Sequence, residues 1–318
     1  MAPMREDDSP LAKRHDGRMS LYRGPIIDAH IHLWDLSLDR HPWLRAESAL
    51  GDVSALRQSY LVKTFWADAA NQNIVAAVYV EAGWDRARDP LEEIEWLEGL
   101  DKSSGVAARY IGYADLTAPD VDAVLARLAA HRRCVGVRQM LSWSPAEPDR
   151  NFAPRPHIAD EPGFRHGVAR LAAHDLLLEL MLYPYQAEEV ARLAQDFPEQ
   201  IFVVNHCGSP IERDSEGMAR WREGLRRLGA RPNVMLKISA LTAYDPAPTP
   251  ESLAAVVRHC LECFETERAL FGSDFPVGKL WTSYDSIFDG FKAMASGLSD
   301  AEQAALFHDN ARRLYRLG

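Results

Sequence analysis

Eight short apolar runs, each followed by a segment with helical periodicity, constrain this chain more than any other feature. The runs are Ile26–His32, Ile74–Ala82, Tyr110–Leu116, Val135–Met140, Leu176–Tyr183, Ile201–Cys207, Val234–Ser239 and Ala269–Phe275. Runs of this length, rich in Val, Ile and Leu on both faces, read as strands of a buried parallel sheet. Between them, apolar residues recur every three or four positions. Examples are Leu91, Ile94, Leu97 and Leu100, then Met218, Trp221, Leu225 and Leu228, then Leu253, Val256, Val257 and Cys260. Each stripe predicts a helix with one buried face. Thr249 before Pro250 suits a helix start, and Ser299 with Glu302 has capping-box spacing. Eight β-then-α units predict an α/β fold of the (β/α)8 TIM-type barrel class rather than an open doubly wound sheet.

Such barrels take about 250 residues, and this chain has 318. The surplus is expected in an N-terminal tail over residues 1–24 and two long loops, one at about 33–73 and one at 142–162. The remainder, 25–318, is expected to form one catalytic domain. Both loops follow the C-terminal ends of strands, where barrel enzymes place their active sites. The second, rich in Pro, Asp and Arg, reads equally as a lid and as a surface insertion.

Within Ile26–Trp34 the order is Ile-Ile-Asp-Ala-His-Ile-His-Leu-Trp. Strict strand alternation puts Asp28, His30 and His32 on one face. His206 ends the sixth run and Asp274 the eighth. In a barrel all of these strand ends meet at one mouth, so His30, His32, His206 and Asp274 form the expected catalytic set. The same four can bind one divalent ion, Zn²⁺ or Mn²⁺. No organic cofactor is expected, since no P-loop, dinucleotide glycine fingerprint or serine elbow is present.

These motifs resemble the amidohydrolase superfamily. Its lactonase branch, which includes sugar-acid and pyrone-dicarboxylate lactonases, is similar in Asp-Ala-His-Ile-His-Leu-Trp, His41-Pro-Trp, Val-Gly-Val-Arg, Asn-His-Cys-Gly-Ser-Pro, Val-Met-Leu-Lys-Ile-Ser, Phe-Gly-Ser-Asp-Phe-Pro and Asn-Ala-Arg-Arg-Leu-Tyr. The likeness runs from about Gly24 to Leu317. It implies a hydrolase that opens a lactone, a sugar-acid lactone above all, and a centre that can equally act without the ion. Attack by activated water needs a carboxylate to take its proton, and Asp274 is the candidate. Two departures count against a two-metal centre. The fourth strand offers Arg138 where a bridging carboxylated lysine is expected, and the fifth strand has no histidine. The second departure also separates the chain from metal-dependent decarboxylases of the superfamily, the main rival reading. A barrel that binds a small molecule without turnover is the other alternative.

Arg138 is a candidate clamp for substrate, or an arginine paired to a barrel acid such as Glu179. Lys237 is expected to face the barrel interior and touch substrate, provided its register is right. Trp34 and Trp143, beside the long loops, offer aromatic faces to a sugar ring or simply pack. Cys260 and Cys263 read as core thiols, not a metal or redox pair.

The net charge of −10 argues against nucleic-acid backbones and anionic membranes as partners. The expected partners are a small-molecule substrate and, in a homo-oligomer, further copies of the chain. Four cysteines and the absence of a long apolar run suit the cytoplasm.

Overall fold

A computed structural model describes residues 21–46 and 48–318. Most of the expected N-terminal tail, residues 1–20, lies outside the described residues. Eight parallel strands follow one another around a barrel: β1 (Ile26–Ile31), β2 (Ile74–Val80), β3 (Arg109–Tyr113), β4 (Cys134–Met140), β5 (Leu177–Met181), β6 (Phe202–Val204), β7 (Val234–Ile238) and β8 (Ala269–Phe271). β1 meets the segment after β8 through a parallel bridge between Ile31 and Phe275. Two hydrogen bonds mark this seam, from Asp274 N to His30 O at 2.9 Å and from His32 N to Phe275 O at 2.8 Å. All eight expected strands are present.

Each strand leads to a helix: α1 (Val62–Asp68), α2 (Leu91–Glu98), α3 (Val121–Ala129), α4 (Pro162–Ala173), α5 (Ala187–Asp196), α6 (Ser215–Gly229), α7 (Pro250–Phe264) and α8 (Tyr284–Ala295). The apolar stripes of the sequence are their buried faces, packed against the outside of the barrel. α7 starts at a Thr249 capping box with Pro250 in its first turn, as expected. α9 (Asp300–Ala304) starts at the Ser299 and Glu302 capping box. A π-helical turn (Ala305–Asp309) leads on to α10 (Asn310–Leu314). The 33–73 loop is not irregular throughout, since it carries α1 and three single 3₁₀ turns. No described helix is long and apolar enough to cross a membrane.

The barrel interior has two levels. The lower level is apolar: Ile27, Ala29, Val78, Val80, Ile111, Val135, Leu177, Val203, Met235 and Leu270, at least one residue from every strand, pack together. Tyr315, which follows α10, closes it from below and donates its hydroxyl to Glu179 Oε1 at 2.7 Å. Above this plug lie the polar side chains. Glu179, Lys237, Arg138, His30 and His206 are each at most 4% exposed, so every charge among them needs a partner.

The first strand departs from strict alternation. Ile27 and Ala29 face the interior, whereas Asp28 accepts from Tyr284 Oη on α8 at 2.9 Å and from Ser273 N at 2.8 Å. Its pairing with β2 shifts register between Asp28 and Ile31. This bulge returns His30 and His32 to the interior, so Asp28 does not share their face.

Candidate active site

The bulge aims two imidazoles at one point. His30 Nε2 and His32 Nε2 lie 3.3 Å apart. Both face Asp274 Oδ1, at 3.5 Å and 3.3 Å. His206 Nε2 stands 4.0 Å from the same oxygen. The close approach of β8 to β1 depends on Gly272, where a Cβ would sit 2.7 Å from His30 Cβ. His206 and Asp274 both adopt left-handed backbone, with φ of 55° and 60°. For non-glycine residues this costs on the order of 1–3 kcal/mol each, and such strain concentrates at functional sites.

Neighbouring groups fix the rings. His32 Nδ1 lies 2.8 Å from Val80 O, a carbonyl that can only accept, so Nδ1 carries a proton and the ring is oriented with Nε2 towards Asp274. His206 Nδ1 lies 2.8 Å from Ser239 Oγ. Burial, reinforced by the nearby Lys237 charge, holds the His30 pKa well below the ordinary imidazole value. Burial likewise lowers His206, to about 4, against the opposing pull of Asp274. Burial alone would raise Asp274, but His206, His32 and Arg138 outweigh it and hold the carboxyl below its usual value. At neutral pH the centre is therefore a carboxylate with neutral His30 and His206 beside it.

His30, His32 and Asp274 present ligand atoms that all lie within 4.8 Å of one another. Two imidazole nitrogens and a carboxylate oxygen are a donor set that suits Zn²⁺ or Mn²⁺. His206 stands outside this tight group, so three of the four expected ligands converge and the fourth adjoins them through Asp274.

The centre forms part of the lining of a cavity of ≈ 380 Å³ at the C-terminal mouth, shared by Trp43, Arg86, Arg138, Phe152 and Trp281. Arg138 lines the cavity, but its partner is Glu81 and not Glu179: Nε donates to Glu81 Oε1 at 2.9 Å and Nη2 to Glu81 O at 2.6 Å. Glu179 is already taken by Lys237, whose Nζ reaches its two oxygens at 2.9 Å and 2.8 Å. Lys237 does face the interior, yet it is fully buried below the mouth and does not line the cavity. It is a partner of Glu179, not a contact for substrate. Trp34 is also displaced from the expected role, since it is 1% exposed and donates Nε1 to Gln58 O inside the first loop. Trp143 packs on the helical layer rather than facing the cavity.

Sequence reasoning missed Glu81 and Arg86. Glu81 directly follows β2, at a strand end like the residues that were found. It is fully buried and binds two guanidiniums, with Arg86 Nη2 at 2.6 Å from Oε2. Arg86 lies in a loop, where no periodicity points to it.

A parallel barrel with histidines on its first and sixth strand ends and an aspartate after its eighth defines a class of barrel enzymes that work at the C-terminal mouth. Within that class this chain belongs to the amidohydrolase family, whose model matches residues 27–317. It is 38% identical over 295 residues to an uncharacterized protein, y4mH, of Sinorhizobium fredii, covering 92% of this chain and 98% of that one. It is 30% identical over 305 residues to an L-fucono-1,5-lactonase of Burkholderia multivorans, covering 92% and 96%. A crystal structure of a B. multivorans amidohydrolase with bound zinc superposes with a TM-score of 0.76 at 28% identity, covering 93% of this chain and all of that one.

Proposed function

We propose that this amidohydrolase opens a lactone ring by attack of water at the barrel mouth. The observation that carries the reading is the convergence of His30, His32 and His206 on one oxygen of Asp274 at the wall of a ligand-sized cavity. Similarity to a chain named as an L-fucono-1,5-lactonase supports a lactone as the substrate, with sugar-acid lactones the first to test.

Water is a poor nucleophile at neutral pH, and a buried carboxylate held ionised can take its proton as it attacks. Asp274 is that carboxylate. In the tautomer in which Ser239 Oγ donates to Nδ1, His206 carries its proton on Nε2, where it can donate to the oxyanion that develops on the lactone carbonyl. Among the described residues Arg138 has no acceptor for Nη1, which leaves that donor for the carbonyl or ring oxygen. Asp274 then returns the proton to the leaving alkoxide. His30, His32 and Asp274 would hold a divalent ion, which when bound lowers the pKa of water and polarises a carbonyl.

The test is hydrolysis of a panel of aldonolactones, deoxy-aldonolactones and pyrone carboxylates, with and without added Zn²⁺ or Mn²⁺. Ring opening above the spontaneous rate supports the reading. No turnover of any lactone, together with release of carbon dioxide from aromatic acids, would replace it with decarboxylation. Calorimetric binding without turnover would replace it with a binding protein.

A further inference from the structure

The cavity wall carries more information about substrate than the catalytic centre does. Trp43, Trp84, Met140, Phe152, Met181 and Trp281 give it a mainly apolar surface. Several of its polar groups are already spent. Asn151 uses Oδ1 and Nδ2 on the backbone of Ser144, and Trp43 Nε1 donates to Ala82 O at 2.8 Å. A polyhydroxylated ring would bury hydroxyls here without partners, at a cost of roughly 1–3 kcal/mol each. An apolar ring body meets no such penalty.

The charges are also unbalanced. Among the described residues that line the cavity, Arg86 and Arg138 are the cations and Asp274 is the only acid. Both guanidiniums share a single carboxylate, Glu81, which lies behind them. The two guanidiniums exceed that carboxylate by one positive charge. Asp274, which feels the charge of Arg138, offsets it, and among the described residues Arg86 has no second carboxylate. Arg138 is pinned by Glu81 at Nε and Nη2. Arg86 is held differently: Nη2 binds Glu81 at 2.6 Å and Cζ lies over the Tyr113 ring, 3.5 Å from its centre. Among the described residues its Nε and Nη1 have no acceptor. A guanidinium fixed at one end and stacked on its face is organised in advance to bind a carboxylate, with little side-chain entropy left to lose.

We propose that Arg86 reads a carboxylate on the substrate, so the preferred lactone has an apolar body and one anionic group rather than a ring covered in hydroxyls. This rests on the lactonase reading of the same site and narrows it. Arg86 acts on specificity, while the ring is opened at Asp274.

The test compares three lactones on wild type and on Arg86→Leu: an aryl-substituted δ-lactone, its carboxylated counterpart and a polyhydroxylated aldonolactone. In wild type the carboxylated aryl lactone is expected to have the highest kcat/KM. In Arg86→Leu its kcat/KM relative to the uncarboxylated partner is expected to fall by about 10- to 100-fold, the worth of one charged hydrogen-bonded contact. Arg86→Lys, which keeps the charge without the fork, is expected to fall between the two. An unchanged ratio in Arg86→Leu, or an aldonolactone turned over fastest by wild type, would overturn the proposal while leaving lactone hydrolysis intact. If none of the three is hydrolysed, the lactonase reading fails separately. Calorimetric binding of the two aryl lactones to wild type and Arg86→Lys then decides the role of Arg86, with a preference for the carboxylated one expected in wild type and weakened in the variant.

Discussion

Asp274 is tied to His30 twice: its backbone N–H donates to the His30 carbonyl at 2.9 Å, and its carboxylate oxygen stands 3.5 Å from the His30 imidazole. Backbone and side chain are thus set by the same neighbour. An Asp274→Asn variant keeps the backbone bond and the volume but removes the carboxylate proposed as base. Its kcat for the best lactone is expected to drop by about 10²- to 10⁴-fold, with near-UV circular dichroism unchanged. Full retention of activity would remove Asp274 from the mechanism.

The His30, His32 and Asp274 donor set makes a prediction about stability that is independent of turnover. A ligand that binds only the folded state stabilises it by about 2.7 kcal/mol at a hundred times its dissociation constant. Zn²⁺ or Mn²⁺ is therefore expected to raise Tm by several degrees in wild type, and prolonged chelation to reverse the rise. His32→Ala is expected to abolish the shift. A wild-type Tm insensitive to both ions would argue for chemistry carried by the side chains alone.

Lys237 and Glu179 are both fully buried, and Glu179 also accepts from Tyr315 and from Asn205 Nδ2 at 2.8 Å. Removing one member of such a pair strands the other charge, at roughly 3–5 kcal/mol. Lys237→Met should lose that much stability in urea denaturation. The double variant Lys237→Met with Glu179→Gln is expected to lose less than the sum of the two single changes. Strict additivity would mean that the pair is not coupled.

Glu93 on α2 gives a pH dependence. It is fully buried, with Oε1 accepting from Tyr79 Oη at 2.6 Å and from Ala82 N at 2.9 Å, and Oε2 has no partner. Burial, helped by the nearby Glu81 charge, pushes its pKa up from 4.5 to about 7. Between these values the folded state keeps a proton that the unfolded chain has released. Stability is therefore fully present below 4.5, falls as pH rises and is lost above about 7, by on the order of 1–3 kcal/mol. Glu93→Gln is expected to flatten the Tm profile across this window and to be the more stable protein at pH 8. An unchanged slope would mean that Glu93 is already ionised at acid pH.

The barrel was legible because its strand runs and helix stripes are set by burial, which the order of apolar residues records directly. The four strand-end residues His30, His32, His206 and Asp274 were legible because a closed barrel brings all strand ends together. Alternation failed at Asp28, since a bulge moves one residue to the other face and nothing in Ile-Ile-Asp-Ala-His announces it. The aromatic residues were the least readable. Trp34 and Trp143 stand beside the long loops and Trp43 lies within the first, yet of these three only Trp43 lines the cavity. Loop conformation decides such cases through contacts distant in sequence, as with Trp34 Nε1 on Gln58. On paper Glu179 was the acid offered to Arg138 and Lys237 had none, and only the three-dimensional pairing assigns Glu81 to Arg138 and Glu179 to Lys237.

The seam between β1 and the segment after β8 joins residues more than 240 positions apart, as in the Ser273 N bond to Asp28 Oδ1. Asp274 and two of the histidines that face it, His30 and His32, sit on opposite sides of that join. Contacts of such long sequence separation are among the slowest for a folding chain to make. The site therefore comes into being only when the last strand finds the first. A chain arrested with seven strands in place would show nearly native helix content and no chemistry. Recovered activity during refolding thus times the closure of the barrel, with no added probe.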